Sequence, residues 1–395
     1  MSKKKLLIVS GGMEIGGIER SLLGLLGELD YDRYDVDLLL LSVKGELLPL
    51  VDKRCKLLPE IPQCAVMTEP LSVAFKRYPL IAVNRFLYKF RVNLKYGITD
   101  GTVFELLSSY WKSCVKFMPS LKKEYDAAIS FMWPHEYVAK KVKANKKIAW
   151  IHTDYTVATM DFEKDIKTWA VFDKIAGVSD NVCDAFKKVY PSLADRLVTV
   201  ENILSPTFVR AQAEKETPED MDTTCKTILS VGRFCYPKAF ELIPQYCRIM
   251  SDNGCRFKWY LIGYGGDEEL IREEIKRYGV EDTLIILGKK CNPYPYMAAC
   301  DVYVQPSRYE GKAVTVREAQ ILGKPVVITD FETAGSQITD GFDGIICPMN
   351  SESVAETVMQ LLNDKEKCRK LSQNCLSTDY SNASATEIIY GMIEE

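Results

Sequence analysis

Short apolar runs recur along the chain, and most are followed by a glycine-bearing or polar turn and then by apolar residues at helical spacing. In the first half the runs at 6–9, 36–43, 125–131, 147–154, 173–179 and 197–200 predict strands. After the first comes Gly11-Gly12-Met13-Glu14-Ile15-Gly16-Gly17, and then a helical pattern through Leu22, Leu25, Leu26 and Leu29. Between 205 and 226 the text turns polar and broken, and residues 214–220 have linker composition. The rhythm restarts with predicted strands at 227–231, 258–262, 283–287, 302–305, 325–328 and 344–347. Alternating strands and helices define an α/β fold class. Two doubly wound, Rossmann-like parallel sheets with a cleft between them are expected, one on each side of a boundary in this polar stretch.

Residues 70–120 break the pattern. From 76 to 95 there are six bases (Lys76, Arg77, Arg85, Lys89, Arg91 and Lys95), no acid, and interleaved aromatic and aliphatic residues. Such a segment fits an anionic membrane surface or a polyanionic acceptor. It equally fits an insertion that packs its apolar face on the domain and leaves its bases in solvent.

Composition narrows the function classes. A length of 395 residues predicts two domains. The formal net charge of -3 gives no argument for nucleic acid as a partner. Thirteen cysteines without a C-x-x-C pair argue against a zinc ribbon or a thioredoxin-type motif. Scattered cysteines without a signal peptide fit a reducing cytoplasm. No apolar run reaches about 18 residues, so no membrane span is indicated. With two histidines, His135 and His152, one chain cannot form a multi-histidine metal site.

The candidate chemistry centres on residues 306–327, PSRYEGKAVTVREAQILGKPVV. Glu310 sits on a loop, the small turn Gly311-Lys312-Ala313 follows, and a helix-favouring run from 316 to 322 carries Glu318. Free backbone N–H groups and the helix dipole make such an entrance an anion site. Taken alone, the two glutamates read better as plain loop and helix surface charges. Upstream, Arg233 and Lys238 lie just past the first strand of the second half and can neutralise a diphosphate. The turns at Gly263-Tyr264-Gly265-Gly266 and Gly288-Lys289-Lys290-Cys291 follow the next two strands. In the first half, Gly16 and Gly17 would let a substrate approach the backbone. His152 ends a strand where open sheets bind ligands, and can donate a hydrogen bond or move a proton. It reads equally well as a satisfied strand-end histidine. The D-x-D strings at 30–32, 35–37 and 220–222 are read as surface turns, and no essential metal or cofactor is expected.

Taken together, these motifs resemble the retaining GT-B glycosyltransferases of family 4, the glycosyl transferases group 1. The residues that carry the resemblance run from Gly16-Gly17-x-Glu19-Arg20 through Gly232-Arg233, Lys238, Gly263 and Gly288 to Pro306-Ser307, Glu310 and Glu318, and end with Gly323-x-Pro325 and Asp340-Gly341. Residues 50–120 match poorly. The resemblance implies an acceptor-binding domain at 1–205, a linker at 206–226 and a nucleotide-sugar-binding domain at 227–378, with a helix in 379–395 returning to the first domain. It implies that Arg233 and Lys238 hold the donor diphosphate, that Glu318 reads the ribose and Glu310 the transferred sugar, and that backbone at Gly311, Lys312, Ala313 and Val314 binds phosphate. Gly263 belongs to the donor loops, Lys290 and Cys291 would face the base, and Gly16, Gly17 and His152 would line the acceptor cleft. Two departures bear on donor choice: Ala239 stands where the family usually has glycine, and Gly311-Lys312-Ala313 where it often has Gly-Phe-Gly.

The function this implies is transfer of a sugar, with retention, from a nucleotide diphosphate sugar (UDP-linked) to a hydroxyl of a glycan or lipid-linked acceptor in cell-surface polysaccharide synthesis. The expected place is the cytoplasm, peripheral at the inner membrane face. A soluble enzyme of the same fold acting on a small acceptor, or as a sugar phosphorylase, is the rival reading. A non-catalytic nucleotide-sugar-binding subunit is a third.

Overall fold

A computed structural model describes residues 3–96, 103–153, 155–157, 161–310 and 312–395. The described chain divides into two compact units, one formed by residues 1–203 with 383–395 and the other by 204–382.

In the first unit, β1 (Lys4–Ser10), β2 (Tyr34–Leu40), β3 (Lys56–Leu57), β4 (Glu124–Ser130), β5 (Lys143–Ile151), β6 (Lys174–Gly177) and β7 (Leu197–Thr199) form a parallel sheet in the order β3-β2-β1-β4-β5-β6-β7. The chain leaves β1 for β2 and β3 and then returns to β4 on β1's other side. This places the topological switch point between β1 and β4, where open α/β sheets bind ligands. Central strands covered on both faces read as continuous apolar runs, and Leu6 to Val9 are fully buried.

The second unit repeats the scheme with β8 (Lys226–Val231), β9 (Phe257–Ile262), β10 (Leu284–Gly288), β11 (Val302–Gln305), β12 (Val326–Thr329) and β13 (Ile345–Cys347), in the order β10-β9-β8-β11-β12-β13. Side chains alternate between two cores. Ile228, Trp259 and Leu261 join the core of helices Ile243–Asp252 and Ser351–Asn363. Leu229, Tyr260 and Ile262 join the core of Tyr294–Ala299 and Val314–Ile321. The switch point falls between β8 and β11.

The polar stretch 206–226 is not a linker. It carries helix Pro206–Ala213, started by Ser205, whose side chain accepts from the Phe208 N–H. Val209 and Met221 are buried in the second unit's core, so sparse apolar residues at the right spacing outweigh the polar composition.

The last helix, Ala385–Glu394, packs on the first unit. Tyr390 stacks on Tyr34 with ring centroids 5.1 Å apart and accepts from the Asp30 N–H at 2.8 Å. Glu394 meets Arg33 at 2.9 Å.

The poorly matched insertion forms helices Leu71–Arg77, Pro79–Tyr96 and Val103–Cys114. Arg85 is buried, donates to the Val66 carbonyl at 2.7 Å and lies over the Tyr110 ring, so it ties the insertion together and is not a solvated surface base. The side chain of Lys95 lies outside the described residues.

Candidate active site

The second unit's site is built from the loops beyond β8 and β11. The turn after β8 is anchored by backbone bonds to the turn after β9, with Gly232 N–H donating to Ile262 O at 3.0 Å and Phe234 N–H to Tyr264 O at 2.9 Å. This close approach explains the glycines: a Cβ at Gly263 would fall 1.9 Å from Gly232 O, and one at Gly265 would fall 2.1 Å from Phe234 O. Arg233 is exposed on this turn and forms no ion pair with another described residue. Lys238 ends a short 3-10 turn, Tyr236–Lys238, which Ala239 closes in the left-handed conformation at φ 56°. The family's usual glycine suits that backbone, and here a buried alanine holds it at some steric cost.

The loop after β11 brings Glu310 onto Lys238. The two pair directly, with side chains 11% and 20% exposed. Ser307 Oγ also donates to the Glu310 carboxylate at 2.6 Å. Ser307 is in turn set by buried Gln305, whose amide donates to Ser307 Oγ at 3.0 Å and whose carbonyl accepts from Tyr303 at 2.9 Å. Arg308 joins the two loops: its N–H donates to Pro237 O at 2.8 Å, and its guanidinium lies 4.2 Å from the Tyr236 ring centre, bonds Tyr236 O and pairs with Glu241. The site therefore holds a carboxylate and an ammonium of two different loops in one defined geometry.

Helix Val314–Ile321 opens beside them with no side-chain cap. The Ala313 N–H, expected to bind phosphate, donates instead to Gln337 Oε1 at 3.0 Å. Val314 begins the helix itself. Lys312 is half-buried, and Gly311 lies outside the described residues. Glu318 is fully buried and accepts from the Tyr294 hydroxyl at 2.6 Å. Lys290 is held by Asp220 at 2.6 Å over the Tyr296 ring, while Cys291 is exposed. Arg308, Gln337 and Tyr294 are candidate site residues that the sequence does not single out, and Ser307 stands out there only as part of the Pro306-Ser307 motif. Gln305 had a signal, a lone amide closing an otherwise apolar strand.

In the first unit, Gly16 caps helix Gly17–Glu28. A Cβ there would lie 2.3 Å from Glu19 Oε2, so the close approach at Gly16 is made by the protein's own carboxylate. Gly17 has open space around it. His152 follows β5 and is part-buried. Its Nε2 lies 2.8 Å from the Phe131 carbonyl, and its ring packs on Phe131. A carbonyl can only accept, so Nε2 carries the proton and Nδ1 remains an acceptor. His135 is instead a core residue, bonded to Ser130 at 2.8 Å and packed on Trp169.

These environments set a pH response. Burial pushes His152 down to about 4, against the hydrogen bond to Phe131. Burial likewise pushes His135 down to about 3, with nearby Asp165 opposing, and pushes Glu136 up to about 7, with Lys112 opposing. Between pH 4.5 and 6.5, unfolding adds a proton to His135 and removes one from Glu136, so these two cancel. His152 remains. Its folded value lies below its unfolded one, so its contribution to stability is intact above pH 6.5 and is lost as pH falls toward 4. Wild type should therefore lose about 2 kcal/mol relative to His152→Gln between pH 7.5 and 5. Urea midpoints of both proteins at the two pH values measure this, and an unchanged gap refutes it.

Two Rossmann-like units, one with a cation–carboxylate pair at its switch point, are the features of the GT-B fold class. Residues 212–377, which lie in the second unit, match the family described as Glycosyl transferases group 1. Among curated relatives, an N-acetylgalactosamine-N,N'-diacetylbacillosaminyl-diphospho-undecaprenol 4-alpha-N-acetylgalactosaminyltransferase of Campylobacter jejuni is 30% identical over 40% of the chain and 43% of its own length. A lipopolysaccharide core biosynthesis mannosyltransferase of Rhizobium meliloti is 25% identical over 45% of the chain and 52% of its own length. The matched stretch thus spans about half the length of these relatives. Similar solved structures cover nearly the whole chain. A mutant of S. aureus TarM in complex with fondaparinux, alpha-GlcNAc-glycerol and UDP has a TM-score of 0.70 at 16% identity, covering 99% of this chain and 100% of its own. Anabaena Alr3699/HepE in complex with UDP and glucose has 0.67 at 15%, covering 99% and 100%.

Proposed function

We propose that this protein is a glycosyltransferase that moves a sugar from a UDP-sugar to a hydroxyl of a glycan or lipid-linked acceptor, in polysaccharide or glycoconjugate synthesis. The observation that carries the reading is the pairing of Lys238 with Glu310 at the second unit's switch point. An ammonium has three donors, so Lys238 can keep Glu310 and still reach a diphosphate oxygen. Arg233, exposed on the same turn, supplies a forked donor for that diphosphate. Glu310 then accepts from hydroxyls of the transferred sugar. Glu318 serves the ribose, and its Tyr294 bond fixes the carboxylate's orientation. UDP in two solved structures of the same fold and the diphospho-undecaprenol substrate named for the Campylobacter relative support donor and acceptor.

The reaction forms a bond from the acceptor oxygen to the anomeric carbon and breaks the bond from that carbon to the diphosphate oxygen. Attack from the leaving-group side gives retention, and the acceptor proton passes to the departing diphosphate. Charge builds on that diphosphate, where Arg233 and Lys238 offer preorganised stabilisation. In this scheme the two cations do the work of a metal, so transfer is expected to persist in EDTA. The first unit, with Gly17 and His152 beyond its strands, takes the acceptor side, and Nδ1 of His152 offers an acceptor to a sugar hydroxyl.

A thermal-shift screen tests the donor. A ligand bound only by the native state raises the apparent melting temperature. UDP and at least one UDP-sugar should do so, with the shift lost in Lys238→Ala. A shift with another nucleotide diphosphate and none with UDP would refute the UDP assignment.

A further inference from the structure

We infer that the outer face of helix Pro79–Tyr96 docks on an anionic lipid surface. Leu80, Val83, Leu87, Phe90 and Leu94 recur at steps of three and four residues and fall within an arc of about 80° at 100° per residue. Phe86 widens that stripe. Leu80 is 64% exposed, Phe86 54%, Phe90 57% and Leu94 71%. The opposite side of the same helix is the packed one: Ile81, Ala82, Arg85 and Val92 are buried. The stripe is thus a second apolar face, left over after the helix has been anchored.

Charge identifies what covers it. Lys89 and Arg91 are exposed and lie on opposite flanks of the stripe, and the preceding helix adds exposed Lys76 and Arg77 beside exposed Phe75. No acid occurs from 71 to 96. An apolar stripe flanked by bases matches a helix lying in the lipid headgroup plane, with rings at the acyl boundary and cations on phosphates. Among the described residues, no helix is long and apolar enough to cross a membrane. A second copy of the chain fits less well. Two such faces would bring bases against bases with no carboxylate from these helices between them. The buried Arg85 gives the docking helix a fixed seat through its bond to the Val66 carbonyl.

The purpose of this docking rests on the proposed lipid-linked acceptor. Its occurrence is read without donor or acceptor, by co-sedimentation of the full chain with vesicles of equal parts phosphatidylglycerol and phosphatidylcholine. The chain should bind these vesicles, about tenfold or more weakly without phosphatidylglycerol, and less tightly at high salt. Phe86→Ser with Phe90→Ser, and separately Lys89→Gln with Arg91→Gln, should each lower affinity about tenfold or more with melting curves unchanged. Lys238→Ala should bind vesicles as wild type does, so loss of transfer and loss of docking separate cleanly. No binding by wild type, or binding indifferent to both double substitutions, overturns the inference. So does a wild-type dimer that Phe86→Ser with Phe90→Ser dissociates while vesicle binding stays the same, which would assign the face to a second copy.

Discussion

Lys238→Ala should lower transfer by about 10²- to 10³-fold in kcat, the usual loss when one preorganised donor to a developing charge is removed. Two effects act together. The leaving diphosphate loses a cation held within its loop. Glu310 loses its ion-pair partner, and among the described residues Ser307 is then the one side-chain donor left to its carboxylate. A carboxylate only 11% exposed with one hydroxyl partner will move, so the proposed sugar-reading geometry fails with the charge. Lys238→Arg should recover part of the rate by restoring charge, but not all, because a planar fork does not reproduce an ammonium's geometry. UDP release with each variant, alongside melting curves, measures this. A Lys238→Ala enzyme within fivefold of wild type would show that the site lies elsewhere.

Asp165→Ala should destabilise the protein by about 3–5 kcal/mol, as breaking a buried ion pair from one side does. Asp165 is 3% exposed and accepts from three side chains: Lys112 Nζ at 2.8 Å, Trp169 Nε1 at 2.7 Å and Tyr190 OH at 2.7 Å. Alanine removes the acceptor that an ammonium, an indole and a phenol share beside a packed aromatic cluster. Asp165→Asn keeps an oxygen for one of the ring donors but gives Lys112 no counter-charge, so it should fall between. Urea unfolding followed by tryptophan fluorescence reads the change, since Trp169 belongs to the cluster. A loss under 1 kcal/mol for Asp165→Ala would mean that the cluster relaxes around the gap.

Legibility in the sequence tracked locality. Central strands such as Lys226–Val231 and Phe257–Ile262 announce themselves because burial on both faces favours a run of mostly apolar residues. Glu310 and Lys238 were visible because both sit one turn past a strand, where chemistry is expected. The partners that fix them were not. Gln305 and Ser307 hold Glu310 within its own loop, Arg308 acts across loops about seventy residues apart in sequence, and no periodicity encodes either arrangement. Gln337 takes the Ala313 N–H from a turn whose position only the fold reveals. Strand β3 is two residues long, below any pattern. Helix Pro206–Ala213 was masked by a polar composition in which two buried residues decide the outcome. The basic insertion shows the same limit in reverse: charge marked Arg85 as a surface residue, and packing made it an internal strut.

The placement of helix Ala385–Glu394 on the first unit has a consequence for synthesis. The second unit is one uninterrupted tract of the gene, residues 204–382, and can complete its own sheet as it emerges from the ribosome. The first unit is made in two instalments, and Tyr34 waits for Tyr390 until the entire second unit has been translated. In genetic terms the second unit is a cassette open to exchange between related genes. The other half is a frame that must be inherited from both sides of it.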